Sequence, residues 1–217
     1  MRIDRITSLG EPFTTLVRSR RILEALHPLI GPNIELIENR HNHVSIYRSR
    51  PRSRAHRDIL QWSRSIVTLL IYLSDCSAPQ EATQVVPGSH LWPCIGEPNN
   101  GGTWLDEVPG WASLERQALP VPAAPGDALC LDGLVYHSAG GTHNSAADPR
   151  IVITLAFRSV DELAAPNDPH RDLWLVSGSR IYRGNRISDC RPDPTQQNPG
   201  ESSPNSGRPR EATRQST

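Results

Sequence analysis

The chain has 217 residues, 36% of them hydrophobic, with 23 basic residues balanced by 23 acidic ones. Zero net charge excludes a global pull toward nucleic acid or an acidic membrane, and the length suits one domain with a continuous core. Every basic residue is arginine, which reads as the codon bias of a GC-rich source. The cysteines, Cys76, Cys94, Cys130 and Cys190, form no C-x-x-C pair, so neither a zinc knuckle nor a redox dithiol is suggested. The opening residues carry no secretory apolar core and no run is long enough to span a bilayer. A soluble, cytoplasmic protein with reduced thiols is the expectation.

Residues 11–30 carry Leu16, Ile22, Leu23 and Leu26 at helical spacing, with a stop expected at Pro28 and Gly31-Pro32. Residues 34–47 are β-branched with short alternation and predict one or two strands. The continuous apolar run 66–73 predicts a buried central strand. Val85-Val86 lead into a turn at Pro87-Gly88-Ser89-His90. Residues 91–118, with Trp92, Trp104 and Trp111 but little periodicity, read as a long functional loop rather than a core element. Pro125-Gly126-Asp127 is a turn, followed by a strand ALCL, the turn Asp132-Gly133 and a strand LVYH. From 150 to 158 the alternation is strict, with Ile151, Ile153, Leu155 and Phe157 on one face and Arg150, Val152 and Thr154 on the other. Short strands, Pro/Gly turns and few helices argue for a mainly β sandwich or barrel over 1–189. Residues 190–217 are almost wholly polar and predict a disordered tail.

Within this pattern stands His56-Arg57-Asp58, answered by His137 and then by Arg150. On a strand, residues i and i+2 share a side, so His56 and Asp58 project together and Arg57 projects away. Two imidazoles and one carboxylate suit a non-haem Fe(II) with open positions. Three protein ligands leave room for a bidentate 2-oxo acid and O2. A buried Arg150 calls for an anion, and a guanidinium grips a carboxylate through two parallel hydrogen bonds. From the strand alone, a surface pair with Asp148 or Asp127 stands level with that reading.

The run His56-Arg57-Asp58, then TQVVPGSH (83–90), PGDALCLDGLVYH (125–137) and Arg150, resembles the phytanoyl-CoA dioxygenase family over about residues 34–160. The resemblance implies a double-stranded β-helix (jelly-roll) core with few flanking helices. It implies an Fe(II)/2-oxoglutarate-dependent dioxygenase that hydroxylates an unactivated C–H of a small molecule, a specialised metabolite or an amino acid. Decarboxylation of 2-oxoglutarate to succinate and CO2, with O2 as oxidant, would drive it. His56, Asp58 and His137 would hold the metal and Arg150 the distal carboxylate of 2-oxoglutarate, with Thr83 and Ser138 as hydroxyls near the co-substrate. Members usually carry a longer N-terminal helical segment, so either the start is truncated here or the substrate lid is abbreviated. An intact Asp58 disfavours the halogenase variant, in which a small residue opens a halide position.

His41-Asn42-His43 spells the HNH of a nuclease but sits in an alternating strand, so these are strand residues, one lining the pocket. The arginines 48, 50, 52, 54, 57 and 64 read either as a solvated loop or as a mouth for an anionic substrate. Gln61, Trp62 and Arg57 are substrate candidates, and Trp104 and Trp111 a possible lid, each against ordinary packing. Ser89-His90 lacks a nucleophile elbow and reads as a strand-ending turn. The alternatives are a non-catalytic jelly-roll metal or small-molecule binding protein and a zinc hydrolase; neither needs a buried arginine beside the metal. No nucleic-acid or membrane partner is expected.

Overall fold

A computed structural model describes residues 1–49, 51–58, 66–92, 104–108, 110–141, 149–161 and 172–180. They fall within one compact unit, Met1–Ile187. The tail expected to be disordered, 190–217, lies outside the described residues. In chain order come β1 (Arg2–Asp4), α1 (Glu11–Val17), α2 (Arg20–Ile30), β2 (Ile34–Ile37), β3 (Asn42–Tyr47), β4 (Val67–Tyr72) and β5 (Thr83–Val85). There follow α3 (Trp111–Glu115), β6 (Leu119–Val121), β7 (Ala128–Asp132), β8 (His137–Ser138), β9 (Arg150–Ser159) and β10 (Leu173–Ser177). No described helix is long and apolar enough to cross a membrane.

The strictly alternating strand β9 is the axis of the larger sheet. It pairs antiparallel with β3 and β2 on one edge and with β4 on the other, and β4 continues to β7. The second sheet is small, in the order β6-β5-β8, also antiparallel. Two antiparallel sheets enclosing a cavity make the jelly roll. Period two decides which face of β9 does what. Ile153, Leu155 and Phe157 are buried against Val17, Ile22, Leu26 and Ile30 of the two helices. Full burial of each such Leu or Phe contributes about 1.5–3 kcal/mol. Arg150, Val152 and Thr154 face the cavity instead.

Three local expectations need correction. The N-terminal helical region is two helices, and Pro28 lies inside the second, which runs on to Ile30 and stops at Gly31 with φ 86°. A proline in the last turn forfeits only one hydrogen bond, so termination waits for the glycine. The expected strand LVYH is reduced to His137–Ser138, because Asp132 folds the chain back: its Oδ1 accepts from Leu134 N at 2.8 Å. The stretch 91–118 is not all loop. It contains α3, and Leu105 and Val108 are buried with Val86 and Tyr136 in a satellite core beneath the small sheet.

Gly140 lets the chain after β8 pass close to the backbone at 81–82. A Cβ added there would stand 2.6 Å from Ala82 O and closer still to the Glu81 carbonyl. Gly140→Ala is therefore expected to destabilise by about 1–3 kcal/mol, as overpacking against unyielding backbone does. A lower urea midpoint at unchanged slope would register it.

Candidate active site

His56 and His137 form an antiparallel backbone pair: His56 N donates to His137 O at 2.8 Å and His137 N to His56 O at 2.9 Å. Directly opposed residues project to one side, and the two ring centroids are 4.6 Å apart. Asp58, two residues along and held by its N–H to Gly133 O at 2.8 Å, joins them. Arg57 projects the other way. Its Nη2 donates to the carbonyls of Ser89 and Trp92, and its guanidinium carbon lies 4.3 Å from the Tyr136 ring centre.

Both imidazoles are oriented from behind. His56 Nδ1 lies 3.2 Å from Arg54 O, and His137 Nδ1 lies 3.0 Å from Val135 O. A carbonyl partner makes Nδ1 the protonated nitrogen and leaves the lone pair on Nε2. Those Nε2 atoms stand 3.8 and 4.0 Å from the Asp58 carboxylate oxygens. One donor atom from each of the three residues lies within 4.8 Å of the others. That spacing and donor set can hold one divalent first-row metal.

Asp58 is 2% exposed. Burial by itself would raise its pKa, but His41, His137 and the Thr68 hydroxyl outweigh burial and hold the carboxyl far below the usual range. Thr68 Oγ1 donates to Oδ2 at 2.6 Å. His41 Nε2 lies 3.0 Å from Oδ1 and is the largest of the influences that lower the Asp58 pKa. His56 has a lowered pKa, mainly through burial and next through its proximity to His137.

The triad opens on a cavity of about 460 Å³ between the two sheets. Arg150 lies in its wall, 7% exposed. Its Nη2 donates to Thr83 Oγ1 at 3.4 Å, and Thr83 Oγ1 is 2.7 Å from the Tyr72 hydroxyl. Arg150 Nε has no hydrogen-bond partner, and the one acidic side chain among the described cavity residues is Asp58. The surface pairing is thus excluded for Asp127, whose carboxylate accepts from Ala124 N in its own turn; Asp148 lies outside the described residues. A buried guanidinium with a free N–H beside a hydroxyl pair fits a carboxylate.

The family model for phytanoyl-CoA dioxygenase (PhyH) matches residues 11–152, a span that contains all these groups. The chain belongs to the phytanoyl-CoA dioxygenase family. A curated relative, the multifunctional dioxygenase prhA of Penicillium brasilianum, is 28% identical over 125 residues, covering 52% of this chain and 38% of its own length. Among solved structures, the epimerase SnoN in complex with Fe3+, alpha ketoglutarate and nogalamycin RO has a TM-score of 0.63 at 20% identity, covering 82% of this chain and 76% of SnoN. EctD from S. alaskensis with bound Fe has a TM-score of 0.59 at 16% identity, covering 76% and 58% of the two chains. These likenesses establish the jelly-roll fold.

Ser138 does not line the cavity: it follows His137 on a strand, so it faces away, and its hydroxyl accepts from Arg52 Nε at 3.0 Å. Arg57 is likewise turned from the cavity into protein, which removes it as a substrate contact. Gln61 and Trp62 lie outside the described residues, as do Arg50 and Arg64. Of the arginines read as a mouth for an anionic substrate, Arg54 does line the cavity, paired with Asp106 at 2.9 and 2.5 Å. Trp104 does reach the site. It bridges to His56 by backbone, its ring lies 5.4 Å from the imidazole, and the Arg54 guanidinium carbon lies 4.3 Å from its ring centre. Trp111 is 38% exposed and does not line the cavity.

His41 and His43 both line the cavity. His43 is the strand residue expected, whereas His41 precedes β3, with φ 48°, and stands beside Asp58. Its one sequence signal is the break in alternation between 37 and 42.

Burial holds the His43 pKa at about 4, with Arg2 adding to the depression. In the unfolded chain histidine titrates near 6.5, so as pH falls below about 7 the unfolded state binds protons first and stability drops. The His43 share is fully present above the unfolded value and is lost by about pH 4; His56, shifted the same way, adds to it. The metal-free protein should melt progressively lower between pH 7 and 4.5. His43→Gln should flatten that slope, by up to about 3 kcal/mol across the window.

Proposed function

We propose that the protein is an Fe(II)/2-oxoglutarate-dependent oxygenase that hydroxylates an unactivated C–H of a small molecule. His56, Asp58 and His137 hold the metal, while Arg150 and Thr83 receive the distal carboxylate of 2-oxoglutarate. The observation that carries this is the buried, incompletely partnered Arg150 in the cavity onto which the triad opens. A metal module without an anionic co-substrate has no use for it.

When bound, Fe(II) and 2-oxoglutarate supply the oxidising power: one atom of O2 enters succinate, formed with CO2, and the other the substrate hydroxyl. The chain's own contribution is orientation and exclusion of water. Carbonyls at Arg54 and Val135 aim both Nε2 lone pairs. Tyr72 and Thr83 present a hydroxyl pair beside Arg150, at the carboxylate end of the cavity. Trp104 walls the His56 side, where a substrate would enter. Family membership supports the chemistry, and a SnoN complex containing nogalamycin RO supports a specialised metabolite as the substrate class.

The test is anaerobic titration with Fe(II) and then 2-oxoglutarate, followed by the visible charge-transfer band of iron chelated by a 2-oxo acid. The band should form in the wild type and be absent in His56→Ala. Arg150→Ala should weaken 2-oxoglutarate binding by about 30-fold or more, the usual loss when a charge-assisted buried contact is removed. Admitting O2 should then yield succinate. If Fe(II) binds and 2-oxoglutarate produces no band, the oxygenase reading is wrong and a non-catalytic metal-binding protein replaces it.

A further inference from the structure

The two strands β2 and β3 lie on the same edge of β9. Leu36 pairs with Phe157 and Asn42 with Leu155, so a six-residue advance on one side meets a two-residue advance on the other. Four residues, 38–41, are therefore looped out of what is otherwise one continuous strand. Extra residues of this kind re-aim side chains and recur beside functional sites.

The loop is anchored and strained. Asn42, buried at its base, donates to Thr7 Oγ1 at 2.7 Å and to Glu38 O at 3.4 Å. His41 closes it with φ 48°, left-handed backbone that a histidine rarely adopts. Two side chains leave the loop toward one residue. Arg40 Nη2 donates to the backbone oxygen of Asp58, and His41 Nε2 stands 3.0 Å from its Oδ1. Thr68 holds the other carboxylate oxygen. His41 is outside the set of mutually close donor atoms formed by His56, Asp58 and His137, so it faces the carboxylate and is not a fourth ligand.

We propose that the loop of residues 38–41 is a clasp that fixes the Asp58 carboxylate for metal binding, with His41 as its positioning residue. This rests on the metal role given to Asp58 above. A monodentate carboxylate keeps one oxygen for a donor, and that donor sets its rotation and basicity. Losing such a partner typically weakens metal binding 10–100-fold. The left-handed backbone at His41 persists because the side chain it delivers is needed there.

Co(II), followed by its visible absorption, is the probe, with the melting temperature of the metal-free protein measured alongside. His41→Ala should weaken Co(II) binding by about 10–100-fold. His41→Gln, which keeps an N–H donor at comparable reach, should stay within a few-fold of wild type. His41→Gly relieves the positive φ and should melt no lower than His41→Ala, yet bind Co(II) as poorly. Recovery of affinity in His41→Gly would reduce His41 to turn geometry and overturn the clasp. Wild-type affinity in His41→Ala, with binding abolished in Asp58→Ala, overturns the clasp alone. No Co(II) binding by the wild type removes the metal reading and the clasp with it. A changed band intensity at saturation in His41→Ala, the mark of altered coordination, would make His41 a ligand and also overturn the proposal.

Discussion

A carboxylate buried at the centre of a mostly apolar fold sets the terms for everything around it. Removing one ion from water costs several kcal/mol even after relaxation, and Asp58 is almost wholly enclosed. The structure answers by convergence. Thr68 comes from β4, His41 from the loop between β2 and β3, His137 from the small sheet and the Gly133 carbonyl from the turn before it. Residues distant in sequence meet only because both sheets are in register, so the site reports on the fold as a whole.

The two arginines on the cavity-facing side of β9 make a useful contrast. Arg158 and Arg150 are eight positions apart, equally buried at 7% exposed, and share strand parity. Arg158 lies directly opposite Glu35, with its Nε 3.5 Å from the carboxylate, and Arg180 reaches the same glutamate. That is how this chain neutralises a guanidinium for structural ends. Arg150, by comparison, has a hydroxyl neighbour and a vacant Nε. Leaving a buried charge unpaired is destabilising, and a carboxylate bound there, as proposed above, would recover that cost as affinity.

Much of this was legible in the sequence where period and chemistry coincide. The alternation of β9 gave the face on which Arg150 lies, and the i, i+2 rule gave the pairing of His56 with Asp58; the same rule turns Arg57 away, against its inclusion among the substrate candidates. The same rule, applied to Ser138 after His137, turns it away from the cavity, because strand direction outweighs closeness in sequence. The apolar residues of 105–108 were hidden by their shortness, since two buried side chains leave no periodic signal. The clasp was hidden for another reason. A loop extruded from a strand is defined by register against β9, over a hundred residues downstream, and register is a property of the pair rather than of either segment.

Finally, the segment that brings Trp104 to the cavity is zipped onto the stretch that carries His56 and Asp58. Leu105 N donates to Ala55 O at 2.9 Å, Asp106 grips Arg54, and Trp104 stands against His56. On the proposed function, the Trp104 wall of the cavity and the metal site would thus be mechanically joined. An evolutionary path toward a new substrate that runs through Trp104 or its neighbours must keep the bonds to residues 54–56 intact at each step. Paths through side chains elsewhere on the cavity wall, such as Ser45 or Val152, carry no such condition, so diversification should proceed along the large sheet first.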